Sequence, residues 1–248
     1  MIHSIFDYDL LDLINISISI NVDSKCDLNY FVRKWCKSYR NKDEGHITFW
    51  NVSNVDCLNS IFINYKDFNE LLLWDTRKAE SLSCMFFTCL LYDKPVNHFK
   101  LDNCRDLSYI FFNAYNFNQD LNLWNVSNVK YFNGMFFNAY KFNKPLNKWN
   151  TSNSLTTSFM FCNTRSFNQC INSWNMEKNY DYSYMFFQNM AFDNDLNEWK
   201  VKKDANFESM FSCSKFNKNI DNWNLEKNLN TKNIFENSHI SKLPFWYK

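Results

Sequence analysis

Between Leu121 and Phe136, apolar residues fall first at every second position and then at every third or fourth. Trp124 and Val126 alternate with Asn125 and Ser127, the periodicity of a strand with one buried face. Val129, Phe132, Met135 and Phe136 then recur at three- and four-residue steps, which predicts one stripe of a short helix. Ser127-Asn128 stands where that helix needs an N-cap, as do Ser53-Asn54 and Ser152-Asn153. A loop through Phe142-Asn143 then returns the chain to the next unit.

The same pattern recurs along the chain. Trp50, Trp74, Trp124, Trp149, Trp174, Trp199, Trp223 and Trp246 act as anchors 24 or 25 residues apart, with a last step of 23, and Phe99 fills the one gap. Eleven residues after each anchor comes Met or Ile followed by Phe, from Ile61-Phe62 to Ile234-Phe235. An aromatic followed by Asn or Asp comes next (Phe68-Asn69, Tyr92-Asp93, Phe117-Asn118, Phe142-Asn143, Phe167-Asn168, Phe192-Asp193, Phe216-Asn217). An aliphatic residue sits three positions before each following anchor, as Leu121 does before Trp124.

One such unit cannot bury its aromatic surface alone, whereas stacked units bury it continuously. The expected fold class is therefore α/β: a leucine-rich-repeat-like solenoid of eight coils of roughly 25 residues, each strand–short helix–loop. Parallel strands would line one face at about 4.8 Å per coil, with the short helices on the other. Two regions follow, an N-terminal strand and helix cap over 1–45 and the tandem repeats over 46–248. Strict alternation from Ile14 to Val22 predicts the strand, and Leu28, Phe31, Val32, Trp35 and Tyr39 form one stripe of a helix over 27–40.

Buried anchors leave their neighbours outside. One residue after the anchor these are Asp75, Lys100, Asn125, Asn150, Asn175 and Lys200; three after it, Arg77, Asp102, Ser127, Ser152, Glu177 and Lys202. Leu123 and Lys148 stand one residue before an anchor. This amide-rich face of mixed charge is the candidate partner-binding surface, and its character suits a protein. The asparagines after the aromatic marker are read instead as a stacked ladder that satisfies backbone groups of the turns.

Composition narrows the function further. A net charge of +1 lacks the basic excess of nucleic-acid binders, so no nucleic acid is expected as a partner. No stretch approaches the 18–20 or so apolar residues of a membrane span. The first 22 residues begin without Lys or Arg and are interrupted by Asp7, Asp9 and Asp12, which predicts an unsecreted, cytoplasmic, monomeric chain. Nine cysteines without framework spacing read as free thiols in a reducing compartment. His3, His46, His98 and His239 lack ligand spacing, and two distant glycines make no phosphate loop. No catalytic residue, cofactor or metal is expected. Forty asparagines point to an AT-rich genome as the source.

The motif W-N-V-S-N-V-x-x-[LF]-x-x-[MI]-F…F-N-x-x-L-x-x-W resembles the BspA-like leucine-rich repeat family, also described as the mycoplasma lipoprotein-associated repeat, a domain of unknown function. Residues 27–248 carry the resemblance, including Trp35 and Gly45-His46-Ile47 at the entry to the array. Similar arrays occur in bacterial surface proteins and in the tryptophan-repeat proteins of insect poxviruses. The resemblance implies no established activity. The expectation is a non-enzymatic protein–protein interaction scaffold, viral and directed at a host protein through the strand face. The alternative is a surface or secreted adhesin-type array.

Overall fold

The structure, a computed structural model, describes residues 20–37, 45–225 and 229–247. It opens with helix α1 (Lys25–Lys37), whose Leu28, Val32 and Trp35 are buried against the first coil. Phe31 and Trp35 meet the Trp50 ring at 6.1 and 6.0 Å, so the predicted helical stripe is the one that packs. Tyr39, Arg40 and the strand residues 14–19 lie outside the described residues. Asn21 makes one parallel bridge to Asn51.

The α/β solenoid expected from the sequence is not what the chain forms. Among the described residues α1 is the one α-helix, and four three-residue 3-10 turns accompany it. Among the described residues no coil contains an α-helix, and strand pairing between coils is reduced to isolated parallel bridges. Those bridges join Cys57, Ser81, Asp106, Tyr131, Thr156, Asp181 and Asn206 in sequence. They fall seven residues after each anchor, inside the segment predicted to be helical, while Trp124–Ser127 forms no bridge.

Backbone geometry explains the error. Residues ten and fourteen positions after every anchor have positive φ, for example Cys84 and Thr88 at 56° and 61°, or Tyr109 and Asn113 at 59° and 58°. A left-handed residue ends any run of α-helical turns. The segment becomes overlapping β-turns: Met85, Phe87 and Cys89 donate N–H to Leu82, Cys84 and Phe86, three residues back. The positive φ at the third residue of the first and last of these is the type II signature. The alternate groups point along the stack, so Leu82, Cys84, Phe86 and Thr88 donate to Asp106, Ser108, Ile110 and Phe112 of the next coil at 2.7–3.1 Å. An α-helix would consume those N–H groups internally. Apolar spacing of three and four is met equally well by a chain of turns.

Aromatic columns fill the interior. Phe62, Phe86, Phe111, Phe136, Phe161, Phe186, Phe211 and Phe235 stack along the axis with centroids 5.6–5.9 Å apart. Within the first seven coils each is faced by the aromatic marker, as Phe111 is by Phe117 at 3.7 Å. Trp149, Trp174, Trp199 and Trp223 form a second column at 6.0–6.3 Å. Face-stacked pairs add roughly 0.5–1.5 kcal/mol each beyond the area they bury.

The aliphatic residue before each anchor has a second task. Leu121 O accepts the Trp124 backbone N–H at 3.0 Å, closing a turn, and the Trp149 indole N–H at 2.8 Å. Val96, Leu146, Ile171, Leu196 and Ile220 do the same for their own and the following anchor. A three-residue spacing therefore encodes a turn, and Trp is chosen over another large apolar residue because its N–H reaches one coil back.

Candidate functional site

Alternating burial around the anchors is real although the described residues hold isolated bridges and no extended strand. Trp124 and Val126 are buried, while Asn125 is exposed and Ser127 half-buried. Lys100, Asp102, Arg77, Lys148, Asn150, Asn175, Glu177, Lys200 and Lys202 are exposed, and Asp75 and Ser152 are half-buried. Leu123 is 70% exposed and Leu73 is 53% exposed. All fourteen candidate residues thus lie along one lateral strip of the stack, one coil apart. Lys200 and Glu177, on successive coils, meet at 3.4 Å.

Several of these side chains serve their own backbone first. Asn125, Asn150 and Asn175 each accept, through Oδ1, the N–H two residues on, at Ser127, Ser152 and Glu177 (3.0–3.3 Å). These are Asx turns, and they explain why Asn recurs beside the anchor. Asp75 makes the same bond to Arg77 N–H at 3.1 Å and receives the Arg77 guanidinium at 2.6 Å. That guanidinium holds the Asp75 carboxyl below its usual range. The groups left to meet a partner are Leu73, Leu123, Lys148 and the lysines at 100 and 202.

The asparagine ladder read from the sequence is present. Asn69 Oδ1 accepts Asp93 N–H at 2.9 Å, and the relay continues through Asp93, Asn118, Asn143, Asn168, Asp193 and Asn217 to Ser241 N–H. Asp substitutes freely because only an acceptor oxygen is required.

Sequence reasoning missed a second surface. The residue after the Met-Phe or Ile-Phe pair is at least partly exposed in six of the eight coils, and Phe87, Phe112 and Phe137 stack half-buried there at 4.4 and 4.6 Å. Phe159 and Tyr184 continue a neighbouring column at 4.7 Å. The doubled phenylalanines in Phe86-Phe87, Phe111-Phe112 and Phe136-Phe137 were the available signal.

Chemically suggestive groups prove structural. His46 Nδ1 lies 2.9 Å from Thr48 Oγ1 and its Nε2 lies 3.8 Å from Glu70, the outline of an acid–base–nucleophile chain. Thr48 is fully buried, however, and its hydroxyl donates to Leu71 O, while His46 caps the 3-10 turn Ile47–Phe49. Burial pushes the thiols of Cys36, Cys104 and Cys162 up to about 12, away from nucleophilic thiolates. Among the described residues no three of His, Cys, Asp and Glu are grouped to hold a metal ion, and no helix is long and apolar enough to cross a membrane. A shallow polar groove of about 360 Å³ runs between Glu80, Arg105, Lys130 and Asn153.

A stack of near-identical coils with one decorated lateral strip defines a tandem-repeat protein. Residues 32–147 and 133–244 match the model of the family described as "Mycoplasma protein of unknown function, DUF285", and the chain belongs to that family. No curated protein and no solved structure matches it.

Proposed function

We propose that the protein is a non-enzymatic scaffold that binds another protein through the lateral strip beside its anchors. One observation carries the reading: Leu73 and Leu123 stand exposed on that strip, two coils apart, on backbone fixed by anchors buried to 2–3% exposure. Large apolar side chains held outward on a rigid support are what a protein partner's surface can cover. A kinship within the family to BspA-like arrays and to the poxvirus tryptophan-repeat proteins belongs to this proposal, as does a viral protein engaging a host protein in the cytoplasm. The nine unpaired thiols support a reducing compartment.

The test is affinity capture from cells of the presumed host, with the wild type beside a variant carrying Leu73→Ser, Leu123→Ser and Lys148→Ala. None of these side chains makes a hydrogen bond to a described residue, so the urea midpoint is expected to hold while the captured partner is lost. A partner retained by the folded variant moves binding off this strip.

A further inference from the structure

The position six residues after each anchor is joined directly from coil to coil. Glu80, Arg105, Lys130, Leu155 and Tyr180 each donate N–H to the carbonyl of the same position one coil back, at 2.7–2.9 Å, beginning at Asp56. Their side chains therefore stand in one column, spaced by a coil repeat of about 4.8 Å. The column is ordered in blocks: two acids (Asp56, Glu80), two bases (Arg105, Lys130) and two apolar residues (Leu155, Tyr180). Asp56, Glu80 and Arg105 are exposed, Lys130 and Leu155 are half-buried, and Tyr180 is 51% exposed.

Beside this column runs the polar groove of about 360 Å³, lined by Glu80, Arg105 and Lys130 together with three asparagines. The asparagine amides are already used. Asn103, Asn128 and Asn153 donate Nδ2–H to the Arg77, Asp102 and Ser127 carbonyls of the preceding coil at 2.7–2.8 Å. The charged groups are not. None of Asp56, Glu80, Arg105 and Lys130 makes a side-chain hydrogen bond or ion pair with a described residue. Elsewhere opposite charges on successive coils do pair, as Lys200 with Glu177 at 3.4 Å and Lys218 with Asp193 at 3.0 Å.

We infer that this groove seats an extended, charge-patterned peptide segment of a partner protein. The segment is basic beside Asp56 and Glu80, acidic beside Arg105 and Lys130, and apolar beside Leu155 and Tyr180. Five coil steps span roughly 24 Å, which an extended chain covers in about seven residues, alternate side chains facing the column. Opposed charges across such a contact set register and exclude wrong partners, so the order of the blocks is what selects the segment. Nucleic acid is a poor occupant, because Glu80 and Asp102 line the same groove as the two cations. A second copy turned about a two-fold axis would match acids to bases. It would also bring a groove against a groove and leave the floor uncovered. The groove shares only Asp102 with the lateral strip, and the inference stands without that strip.

The test is fluorescence anisotropy on the full chain with a labelled peptide of about seven residues, carrying arginine, glutamate, glutamate and leucine at alternate positions with serine between. A peptide of the same composition in the order glutamate, arginine, leucine, glutamate is expected to bind at least tenfold more weakly. Arg105→Glu/Lys130→Glu protein should keep the wild-type urea midpoint and bind the first peptide at least tenfold more weakly. It should in turn prefer, over the wild type, a third peptide in which arginine replaces both glutamates. Equal affinity for the two orders, unchanged binding to the variant, or no saturable binding at millimolar peptide overturns the inference. A dimer seen on sedimentation of the protein alone, and abolished by Arg105→Glu/Lys130→Glu, overturns it in favour of self-assembly. Leu73→Ser/Leu123→Ser/Lys148→Ala protein must bind the first peptide as the wild type does, and loss there overturns it in favour of the strip.

Discussion

His98 Nε2 donates to the Leu72 carbonyl at 2.6 Å in the one coil whose anchor, Phe99, has no indole N–H. The hydrogen bond to the preceding coil is thus kept by the residue next door. Burial lowers the His98 pKa, with the Leu72 bond opposing in part, so the ring is held neutral in the fold. The unfolded chain, titrating near 6.5, takes up the proton first as pH falls. Stability is therefore expected to be full above about pH 6.5 and to decline below it, and His98→Gln should flatten that part of the profile. Urea midpoints of both proteins at pH 7.5 and 5.5 check this; identical pH dependence would remove His98 from the account.

Trp149 should separate interior from surface. It is 3% exposed, stacks on Trp174 at 6.0 Å and bonds Leu121 O, so Trp149→Ala is expected to cost roughly 3–5 kcal/mol in chemical denaturation. Trp149→Phe keeps a ring but leaves Leu121 O short of one donor and should cost about 1–3 kcal/mol. The combined change Lys148→Ala, Asn150→Ala and Ser152→Ala removes one Asx turn and should cost about 1 kcal/mol. A triple variant less stable than Trp149→Ala inverts the assignment.

Gly134 is the only glycine at the left-handed position ten residues after an anchor, and a Cβ there would lie 2.5 Å from Cδ1 and Cε1 of the Tyr109 ring. Seven other coils place a side chain at that position, so the obstacle is the ring rather than the backbone. Gly134→Ala should cost about 1–3 kcal/mol, and much of this should return in the Tyr109→Ser background. An additive double-mutant cycle would refute the coupling.

The asparagine relay predicts a difference between two substitutions at one site. Asn143 Oδ1 accepts from Asn168 N–H at 3.0 Å and from Gln169 Nε2 at 2.9 Å. Asn143→Asp keeps the acceptor, as Asp93 and Asp193 do elsewhere, and should change the denaturation midpoint little. Asn143→Ala orphans the Asn168 N–H and should cost about 1–2 kcal/mol.

Thiol reactivity should follow burial. Cys26 and Cys170 are exposed, whereas Cys89, Cys104 and Cys162 are buried with thiols pushed up by desolvation. A thiol reagent added to folded protein at pH 8 is expected to label the first two quickly and the buried three only on unfolding, with all nine found in denatured, unreduced protein. Disulfide-linked peptides in a digest of fresh protein would contradict it.

What the sequence disclosed was which side chains face inward. Trp124, Val126, Val129, Phe132, Met135 and Phe136 are all buried, and of the neighbours of Trp149 expected outside, Lys148 and Asn150 are exposed and Ser152 is half-buried. What it concealed was where the backbone N–H groups point. Apolar spacing constrains side chains alone, and a run of overlapping β-turns buries the same residues as a short helix. A clue lay fourteen residues after each anchor, where Asn64, Asn113, Asn138, Asn163 and Asn237 occupy left-handed geometry that Asn tolerates well. In the candidate site, the exposure of Asn125 and Asn150 was legible, but their use in closing their own turns was not, since a free and a turn-capping asparagine look alike in a sequence.

Hydrogen bonding between each coil and its immediate neighbours makes the molecule a tape as much as a globule. Pulled from its two ends, the bonds along the axis are loaded coil by coil rather than all together in shear. Each rupture would release one repeat of 24 or 25 residues, about 80–90 Å of chain, while the columns behind it stay stacked. The protein should therefore lengthen in equal steps under modest force and rewind the same way.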